Sequence, residues 1–419
     1  MTVATRAQDR QGSVWRRHRG LLVALVVTVV LRLLQLAAVA RASRAQLPTG
    51  PATPDGQPSD YYVFHPAAAD PGAWYVLTNW DGQWYERIAT IGYPAGAAAR
   101  SANEAWAVAF PPAFPVLTRG VMESTGASFA VSAFLLNTVA VLGAVGLMYG
   151  LLHGRGVSDR EATMAASALS LMPSSPVLIA AYSEAVALVF VMVALWALVR
   201  RHYAVCVVAV LALSLTRPVA VAFFAVVLVH ALLRWRADGR SVPWVHRLGV
   251  SGVGAASVAS VWVWPRLSRA LYGTTQAGSY SGSDRTAVIV SGLGDGYLRT
   301  LWNAGPAVAA VVVLFFGLAL AVPAVLALRA HWPVEIVVWG VAYLGVVVVA
   351  TPVTPGFFRY LVLAGPLLAA VFAVPLRAIA VPRVVVVVVL VAGSLWLQWL
   401  WVRYLLVLDP APSLYPWAP

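Results

Sequence analysis

Long apolar runs recur along the whole chain, and each is about as long as a bilayer is thick. A membrane-spanning helix needs roughly 20 apolar residues. Because 60% of the residues are hydrophobic and only 11% are charged, a soluble core could not bury all of the apolar surface. The sequence therefore predicts an all-α integral membrane protein with about eleven transmembrane helices. The predicted spans are residues 21–40, 129–152, 161–181, 183–200, 203–215, 217–233, 247–265, 305–328, 334–351, 357–376 and 383–403.

The two ends of the chain set the predicted domain limits. Residues 1–20 are basic, and we expect them in the cytoplasm. The apolar stretch 21–40 is too long for the core of a signal peptide and lacks a convincing cleavage site, so it predicts an uncleaved first span. One polytopic transmembrane domain is expected over residues 21–404, followed by an extracytoplasmic C-terminal tail at 405–419.

The charge distribution predicts the orientation. The net charge is +13 and every basic residue is an arginine. In a soluble protein this balance would suggest nucleic acid, but here the arginines lie between apolar runs, so we expect membrane lipids and no nucleic acid as partners. With a cytoplasmic N-terminus, the short Arg-containing connections all fall inside, at 153–160, 200–202, 234–247, 329–333 and 377–383. This pattern predicts a multi-pass plasma-membrane protein.

Two long segments, 41–128 and 266–304, then face the outside, and segments of this length usually carry function. If residues 74–93 are helical, Trp80 and Trp84 lie on one face, which suits an interfacial helix on the membrane surface. Asp81 and Tyr85 are also four residues apart and would lie side by side at the depth of lipid head groups. The alternative is that Asp81 caps a surface helix and the aromatic residues form an interface belt.

Glu184 begins a predicted span directly after Tyr182 and Ser183. The helix dipole favours a carboxylate at a helix start, and Ser183 would then cap that helix. The alternative is that Glu184 binds a substrate. Both hypotheses stay open at this point.

Three arginines lie at or near membrane depth, where an arginine is expensive and usually functional. Arg217 stands at 216–218, a break that could also be a kink or a re-entrant point in fewer segments. Arg359 stands near the start of a later span. Both suit contact with a phosphate, with snorkelling to the surface as the alternative. Arg32 lies inside the first span, and the sequence predicts no specific partner for it.

Metal and cofactor chemistry has little support in the sequence. Cys206 is the single cysteine, which rules out a Cys-based metal site. No convergent set of His, Asp and Glu residues is evident, so we predict no protein-built metal site, while a weakly held Mg²⁺ or Mn²⁺ stays open. The Gly- and Ser-containing segment 266–304 is either a lid over a site or an ordinary solvated loop.

Five stretches resemble, in chain order, the motifs of the PIG-V-type mannosyltransferases, which are multispanning enzymes of the GT-C superfamily. The most specific is N-W-D-G-Q-W-Y-E-R-I-A-T-I-G-Y, similar to the pattern W-D-x-x-x-Y-x-x-I-A-x-x-G-Y. Pro111 stands where that family has an aromatic residue, and the family's frequent Asn-Gly does not follow Pro218. The five stretches are residues 79–93, 110–119, 173–185, 216–218 and 359–366.

The resemblance implies a GT-C-like fold and an inverting transfer of mannose from polyprenyl-phosphate mannose to a hydroxyl group outside the membrane. The acceptor would be a glycolipid, a lipoglycan or a protein. Such a transfer needs a carboxylate that takes the hydroxyl proton and cations that neutralise the leaving phosphate. Asp81 is then the expected catalytic base, and Arg217, Arg359 and Arg119 are expected to bind the donor phosphate. The expected substrate pocket comprises Trp80, Trp84, Tyr85, Tyr182, Ser183, Glu184 and Tyr360.

Two other functions remain compatible with the sequence. A transporter or lipid flippase would use Arg32 and Arg217 to line a polar path through the membrane. A non-catalytic membrane subunit of a glycan assembly system would present the segment 41–128 to a partner enzyme. Within glycosyltransferases, no residue distinguishes a mannosyl donor from an arabinosyl or glucosyl donor.

Overall fold

The computed structural model describes residues 3–48, 64–66, 68–94, 106–238, 242–273, 305–350, 357–374 and 382–408. Regular structure within these ranges is helical, with no strand, which confirms the predicted all-α class. The α-helices are α1 (Val3–Ala42), α2 (Ala73–Val76), α3 (Asp81–Ile91), α4 (Ala113–Thr125), α5 (Phe129–His153), α6 (Asp159–Leu171), α7 (Glu184–Val199), α8 (Tyr203–Ser214), α9 (Phe223–Asp238), α10 (Trp244–Tyr272), α11 (Pro306–Arg329), α12 (Val334–Ala350), α13 (Phe357–Tyr360), α14 (Gly365–Leu368), α15 (Ala370–Ala373) and α16 (Arg383–Trp401).

Long apolar helices identify the chain as an all-α membrane protein. Five helical segments of the described residues are long and apolar enough to cross a bilayer, namely Arg19–Ala45, Phe129–His153, Ala220–Ala237, Trp244–Tyr272 and Val384–Leu406. Shorter apolar helices lie at Glu184–Val199, Tyr203–Ser214, Gly317–Arg329, Val334–Val348 and Phe358–Leu368. Every predicted span overlaps a helical segment. The number of crossings and their direction stay predictions.

The two long outer segments are described only in part. Within 41–128, residues 49–63, 67 and 95–105 lie outside the described residues. Helices α2, α3 and α4 occupy much of the remainder. The segment 266–304 starts as helix, because α10 continues to Tyr272, and residues 274–304 lie outside the described residues. The predicted tail 405–419 is described as far as Leu408.

Proline residues interrupt the helices at two places, one inside a predicted span and one at a predicted boundary. The predicted span 161–181 is not one helix, because α6 ends at Leu171 and residues 172–183 are irregular apart from a 3-10 turn at Ser175–Leu178. Met172 is extended, with φ −57° and ψ 143°, since the ring of a following proline disfavours helical backbone. A second break, ahead of Pro218, separates α8 from the 3-10 turn Ala220–Ala222 and α9.

Side chains from α1 and α5 support the irregular segment 172–183. Backbone polar groups at membrane depth must find partners inside the protein. The Arg32 guanidinium donates through Nη2 to the Leu178 carbonyl and through Nε to the Thr138 hydroxyl, both at 2.9 Å. The Asn137 amide donates to the carbonyls of Ala180 at 2.7 Å and Tyr182 at 3.2 Å. The structure thus supplies the partners of Arg32 that the sequence did not predict.

The segment before α3 is tied to both ends of the chain's membrane domain. The Asn79 side chain donates to the Gln46 side chain at 3.0 Å and to the Leu406 carbonyl at 2.9 Å. The Leu47 amide donates to the Leu408 carbonyl at 2.9 Å, so the chain after α1 pairs with the chain after α16. These bonds fix the position at which α3 begins.

Helix α7 lies at the centre of the bundle, packed between α5 and α8, and most of its side chains are buried. Helix α12 packs closely against the broken segment α13–α15. This approach needs a glycine at position 340, because a Cβ there would lie 2.6 Å from the Cβ of Leu367. The residue that starts α7 and the residues carried by α13 are thereby brought close to one another.

We expect Gly340→Ala to destabilise the protein by about 1–3 kcal/mol, because the new methyl group forces α12 away from Leu367. The measurement is the thermal unfolding midpoint in detergent. Gly345→Ala is the matched control, since it lies in the same helix and a Cβ there meets no atom within 4 Å. Equal unfolding midpoints for the two variants would contradict the packing argument.

Candidate functional site

Four charged side chains from four separate parts of the chain form one line of ion pairs. The Arg359 guanidinium contacts a carboxylate oxygen of Asp81 through Nη2, and its Nε lies 3.3 Å from Oε1 of Glu184. Oε1 of Glu184 also lies 2.6 Å from Nη1 of Arg217. Of the residues predicted to be functional, the structure brings these four together as alternating acids and bases, which we call the charge cluster.

Local structure places each of these side chains. Asp81 is the first residue of α3, after Trp80, whose φ of 57° lies in the left-handed region that favours glycine. A tryptophan held in this region is strained and needs support from its surroundings. The Trp80 indole provides part of this support by donating to the Leu406 carbonyl at 3.2 Å. Glu184 starts α7, and Arg217 lies in the proline break after α8.

Burial differs sharply within the charge cluster. The side chain of Glu184 is 1% exposed and that of Arg359 is 6% exposed. Arg217 is 12% exposed, whereas Asp81 is 24% exposed. Buried charges persist only when they are paired, and here two carboxylates balance two guanidinium groups. Asp81 is therefore the acid of the cluster that a ligand can reach.

Aromatic rings enclose the two arginines. The Tyr360 ring contacts both of them, with its centroid 5.0 Å from the Arg217 guanidinium carbon and 5.1 Å from that of Arg359. The Arg359 guanidinium also lies over the Tyr182 ring at 5.1 Å. The Tyr343 hydroxyl of α12 donates to the backbone carbonyl of Tyr360 at 2.8 Å and so holds Tyr360 in position. These rings exclude water and hold the planar guanidinium groups in place.

Ser183 connects α3 to the charge cluster. Its hydroxyl accepts a hydrogen bond from the Tyr85 hydroxyl at 2.9 Å and a longer one from Nη1 of Arg217 at 3.4 Å. Ser183 stands at the N-cap position of α7, yet its side chain makes no capping hydrogen bond. The capping hypothesis for this side chain is therefore wrong, because the hydroxyl points into the cluster. Burial raises the pKa of the Tyr85 hydroxyl well above its usual range.

Some buried polar atoms of the charge cluster have no hydrogen-bond partner among the described residues, and they include Oε2 of Glu184 and Nε of Arg217. A buried polar atom without a partner costs free energy, so such atoms usually mark a place where water or a ligand binds. Together with the reachable carboxylate of Asp81, these atoms make the cluster a candidate ligand site.

Three of the predicted site residues, Trp80, Trp84 and Arg119, are not members of the charge cluster. Trp84 stacks on Phe110, with ring centroids 5.9 Å apart, and packs against Ile88 in a small core of its own. Trp80 supports the backbone, as described above. Arg119 lies on the exposed side of α4, where Nε pairs with Glu123 at 2.9 Å in an i, i+4 ion pair. The structure thus does not bring Arg119 to the other predicted phosphate ligands.

Several residues that support the site were not predicted from the sequence. The backbone carbonyl of Asn79 accepts a hydrogen bond from the Tyr182 hydroxyl at 3.2 Å, while the Asn79 side chain donates to Gln46 and Leu406. Asn137 holds the backbone of Tyr182 from the middle of the apolar helix α5. The available signal was polarity, since an amide side chain within an apolar run is expensive and usually has a specific partner.

Metal ligands are not grouped in the part of the chain that the structure describes. Within those residues, no set of three or more His, Cys, Asp or Glu side chains is placed to hold a metal ion.

Glu86 is a further acid near the site, on another face of α3 from Asp81. Burial raises the pKa of the Glu86 carboxyl to about 7. The His65 imidazole lies 3.7 Å away, and this ring is largely exposed. The neighbouring Gln83 side chain accepts the Phe64 amide at 2.8 Å, so the chain before α2 rests on this face. Glu86 is therefore the titratable group here whose charge changes near neutral pH.

Comparisons with known proteins give limited information. No protein-family model matches the chain, and no curated protein matches it. Among solved structures, the chain is similar to the oligosaccharyltransferase of Archaeoglobus fulgidus in complex with zinc and sulfate, at 15% sequence identity and a TM-score of 0.42. The match covers 96% of this chain and 53% of that one, so the chain spans about half the length of that protein. A TM-score this low does not establish a shared fold.

We expect the contribution of Glu86 to the stability of the protein to fall as the pH rises from about 4.5 to about 7. The unfolding midpoint of Glu86→Gln should therefore rise relative to that of the unchanged protein over this range. In the folded state the Glu86 carboxyl keeps its proton up to the raised pKa, whereas in the unfolded chain it loses the proton at the ordinary pKa of a glutamate. Protonated Glu86 therefore stabilises the fold at low pH, and this contribution is lost on ionisation.

The measurement is the thermal unfolding midpoint of the two proteins across this pH range. Glu123→Gln serves as the control, because Glu123 is exposed. If Glu86→Gln and the unchanged protein lose stability equally between the two pH values, Glu86 is not the group responsible.

Proposed function

We propose that this chain is a GT-C-type membrane glycosyltransferase. It transfers mannose from polyprenyl-phosphate mannose, with inversion, to a hydroxyl group of a glycolipid, lipoglycan or protein outside the plasma membrane. The observation that carries the proposal is the charge cluster, in which a reachable carboxylate lies directly beside two buried guanidinium groups. The mannosyl donor rests on the motif resemblance of residues 79–93, and the reaction class rests on the cluster.

Asp81 acts as the general base. An acceptor hydroxyl attacks the anomeric carbon, and its proton moves to the Asp81 carboxylate while the new carbon–oxygen bond forms. Asp81 suits this role because it is the exposed end of the charge cluster and stands at the start of α3. Glu184 does not, because its side chain is buried between two arginines.

Arg217 and Arg359 receive the leaving phosphate. As the bond between the anomeric carbon and the phosphate oxygen breaks, its electron pair stays on that oxygen, and the phosphate gains negative charge. A guanidinium group has five N–H donors in a plane, so an arginine can keep its carboxylate partner and bind a phosphate oxygen as well. The unpartnered Nε of Arg217 supports this assignment.

The ion pair between Asp81 and Arg359 couples the two halves of the reaction. In the resting enzyme, Arg359 neutralises Asp81. When Asp81 takes the acceptor's proton it becomes neutral, so the charge of Arg359 becomes available to the phosphate at the moment when the phosphate becomes more negative. The total charge of the site is unchanged during this exchange, which lowers the cost of the reaction in a low-dielectric environment.

Glu184 keeps the two arginines in place throughout. Its carboxylate stays paired with Arg217, and the ring of Tyr360 packs against both guanidinium groups. Tyr182, Ser183 and Tyr85 form the remaining wall of the pocket on the side of α3. These residues position the catalytic groups and line the space for the sugar or the acceptor.

The transporter hypothesis expects Arg32 and Arg217 to line one path. Arg32 instead contacts Thr138 and the Leu178 carbonyl, whereas Arg217 belongs to the charge cluster. The two arginines therefore have separate partners, and this favours the enzyme hypothesis.

We expect Asp81→Asn to lower transfer by at least about 100-fold, because the amide cannot accept the hydroxyl proton. The assay uses the full chain in nanodiscs with radiolabelled polyprenyl-phosphate mannose and a host membrane extract, and it follows the label into a new product. Glu123→Gln, an exposed acid on α4, is the control and should transfer normally. Asp81→Asn with normal transfer would overturn the assignment of the base.

The donor is tested in the same assay with a panel of polyprenyl-phosphate sugars. Transfer from an arabinosyl or glucosyl donor alone would replace mannose and keep the enzyme class. No transfer from any donor by a folded protein would overturn the proposed function.

We expect Arg217→Lys to lower kcat/KM for the donor by roughly 10–100-fold, because lysine keeps the charge but loses the planar set of hydrogen-bond donors. Lysine still pairs with Glu184, so the variant should fold, as its unfolding midpoint will show. Arg119→Lys is the comparison, since Arg119 pairs with Glu123 outside the cluster. Equal losses in the two variants would contradict the placement of the phosphate at Arg217.

A further inference from the structure

A second polar cluster lies at the end of α8 that is farther from the charge cluster. Tyr203 is the first residue of α8, and Arg217 follows the other end of this helix. A helix of that length separates the two positions by about 18 Å. His230 of α9 and His246 of α10 complete the group, which we call the Tyr203 cluster.

The three rings of the Tyr203 cluster pack edge to face. The Tyr203 ring centroid lies 6.4 Å from that of His230 and 5.7 Å from that of His246, with interplanar angles of 72° and 78°. Tyr203 is 8% exposed and His230 is 5% exposed. The ring of Tyr203 is fixed from behind by Gly249, where a Cβ would lie 2.4 Å from the ring. These side chains are held rigidly.

The polar atoms of this rigid group are not used within the described part of the chain. The Tyr203 hydroxyl, Nε2 of His230 and Nδ1 of His246 are buried and have no hydrogen-bond partner there. Nδ1 of His230 does have one, because it lies 2.8 Å from Glu335. Buried polar atoms without partners are rare and costly in folded proteins. The tyrosine hydroxyl and one nitrogen of each neighbouring histidine together indicate a binding position for a polar ligand.

The surroundings of the Tyr203 cluster select an anion. The guanidinium groups of Arg201 and Arg234 act electrostatically on the Tyr203 hydroxyl. The first turns of α8 and α10 lie here, and their amide groups add positive potential. Among the described residues, the acid in contact with the cluster is Glu335, which is already paired with His230.

The neighbouring surface suits a lipid head group. Trp235 and Trp244 are exposed large aromatic residues at the ends of α9 and α10. Aromatic residues of this kind are typical of the membrane interface, and basic pockets between transmembrane helices bind phosphate-containing lipid head groups. A general preference for arginine on one side of the membrane would explain exposed arginines, but it would not explain three buried, unpartnered polar atoms.

We propose that the Tyr203 cluster binds a phosphate group, presented by the head group of an anionic phospholipid. The Tyr203 hydroxyl donates to a phosphate oxygen, the two histidines bind the same group from α9 and α10, and Arg201 and Arg234 neutralise its charge. Such a lipid would join α8, α9 and α10 at one end of the bundle. This site is separate from the charge cluster and does not depend on the proposed reaction.

The test variant is Tyr203→Phe, which removes one hydroxyl and keeps the ring between the two histidines. The full chain is purified in detergent, and binding of phosphatidylglycerol is measured by native mass spectrometry and by the rise in the unfolding midpoint. Because the hydroxyl has no described partner without a ligand, the lipid-free midpoint of the variant should equal or exceed that of the unchanged protein. The Kd for phosphatidylglycerol should rise roughly 10-fold or more.

The control variant is Tyr404→Phe, which removes the hydroxyl of an exposed tyrosine in the turn after α16 and should leave binding unchanged. His246→Gln provides a second test should Tyr203→Phe fail to fold. Phosphatidylcholine and inorganic phosphate are the ligand controls.

Weaker binding of phosphatidylglycerol by either cluster variant, with little effect from phosphatidylcholine, supports the proposal. Equal binding of both lipids, or a Tyr203→Phe protein that binds phosphatidylglycerol normally, would overturn it. Inorganic phosphate that stabilises the protein as well as the lipid does would overturn the lipid source and assign the site to soluble phosphate.

Discussion

The ionised side chain of Glu184 is the constraint on which the candidate site depends. A carboxylate that is 1% exposed can stay charged only when cations lie directly beside it. Arg217 and Arg359 meet this requirement, and in doing so they hold the break after α8 and the short helix α13 against the start of α7. Since Arg359 also contacts Asp81, the same requirement sets the position of the reachable acid. The ion pairs of the buried Glu184 thereby determine the position of Asp81 at the exposed end of the charge cluster.

The site is built from interruptions of helices. Glu184 follows the irregular segment 172–183, Arg217 precedes a helix-breaking proline, and Asp81 follows a tryptophan with strained backbone. An interruption at membrane depth leaves backbone groups that need partners, and Arg32 and Asn137 provide them. Polar residues far from the site in sequence are therefore needed to keep the functional residues in place. Without them, the same prolines would only destabilise the bundle.

The two polar clusters differ in charge balance, and this difference fits different tasks. The charge cluster combines acids and bases, as a transfer reaction requires when one group must accept a proton while another neutralises a phosphate. The Tyr203 cluster is surrounded by arginines, and its described acid, Glu335, is already paired with His230. A cluster of this kind can hold an anion but offers no free base. In our proposals, the charge cluster near one end of α8 performs the transfer, and the Tyr203 cluster at the other end binds a lipid head group.

The sequence by itself determined the all-α class, the approximate positions of the apolar helices and the break at Pro218, because these follow from local composition and local sterics; it did not predict the break after Leu171. It also pointed to Asp81, Glu184, Arg217 and Arg359 as polar residues beside apolar runs. Only the tertiary structure decided which of them pair, since the partners lie up to 278 positions apart along the chain. It also separated Arg119 from the others, because the packing of α4 leaves that side chain in solvent. Burial and partner choice are properties of the packed bundle, and no local pattern encodes them.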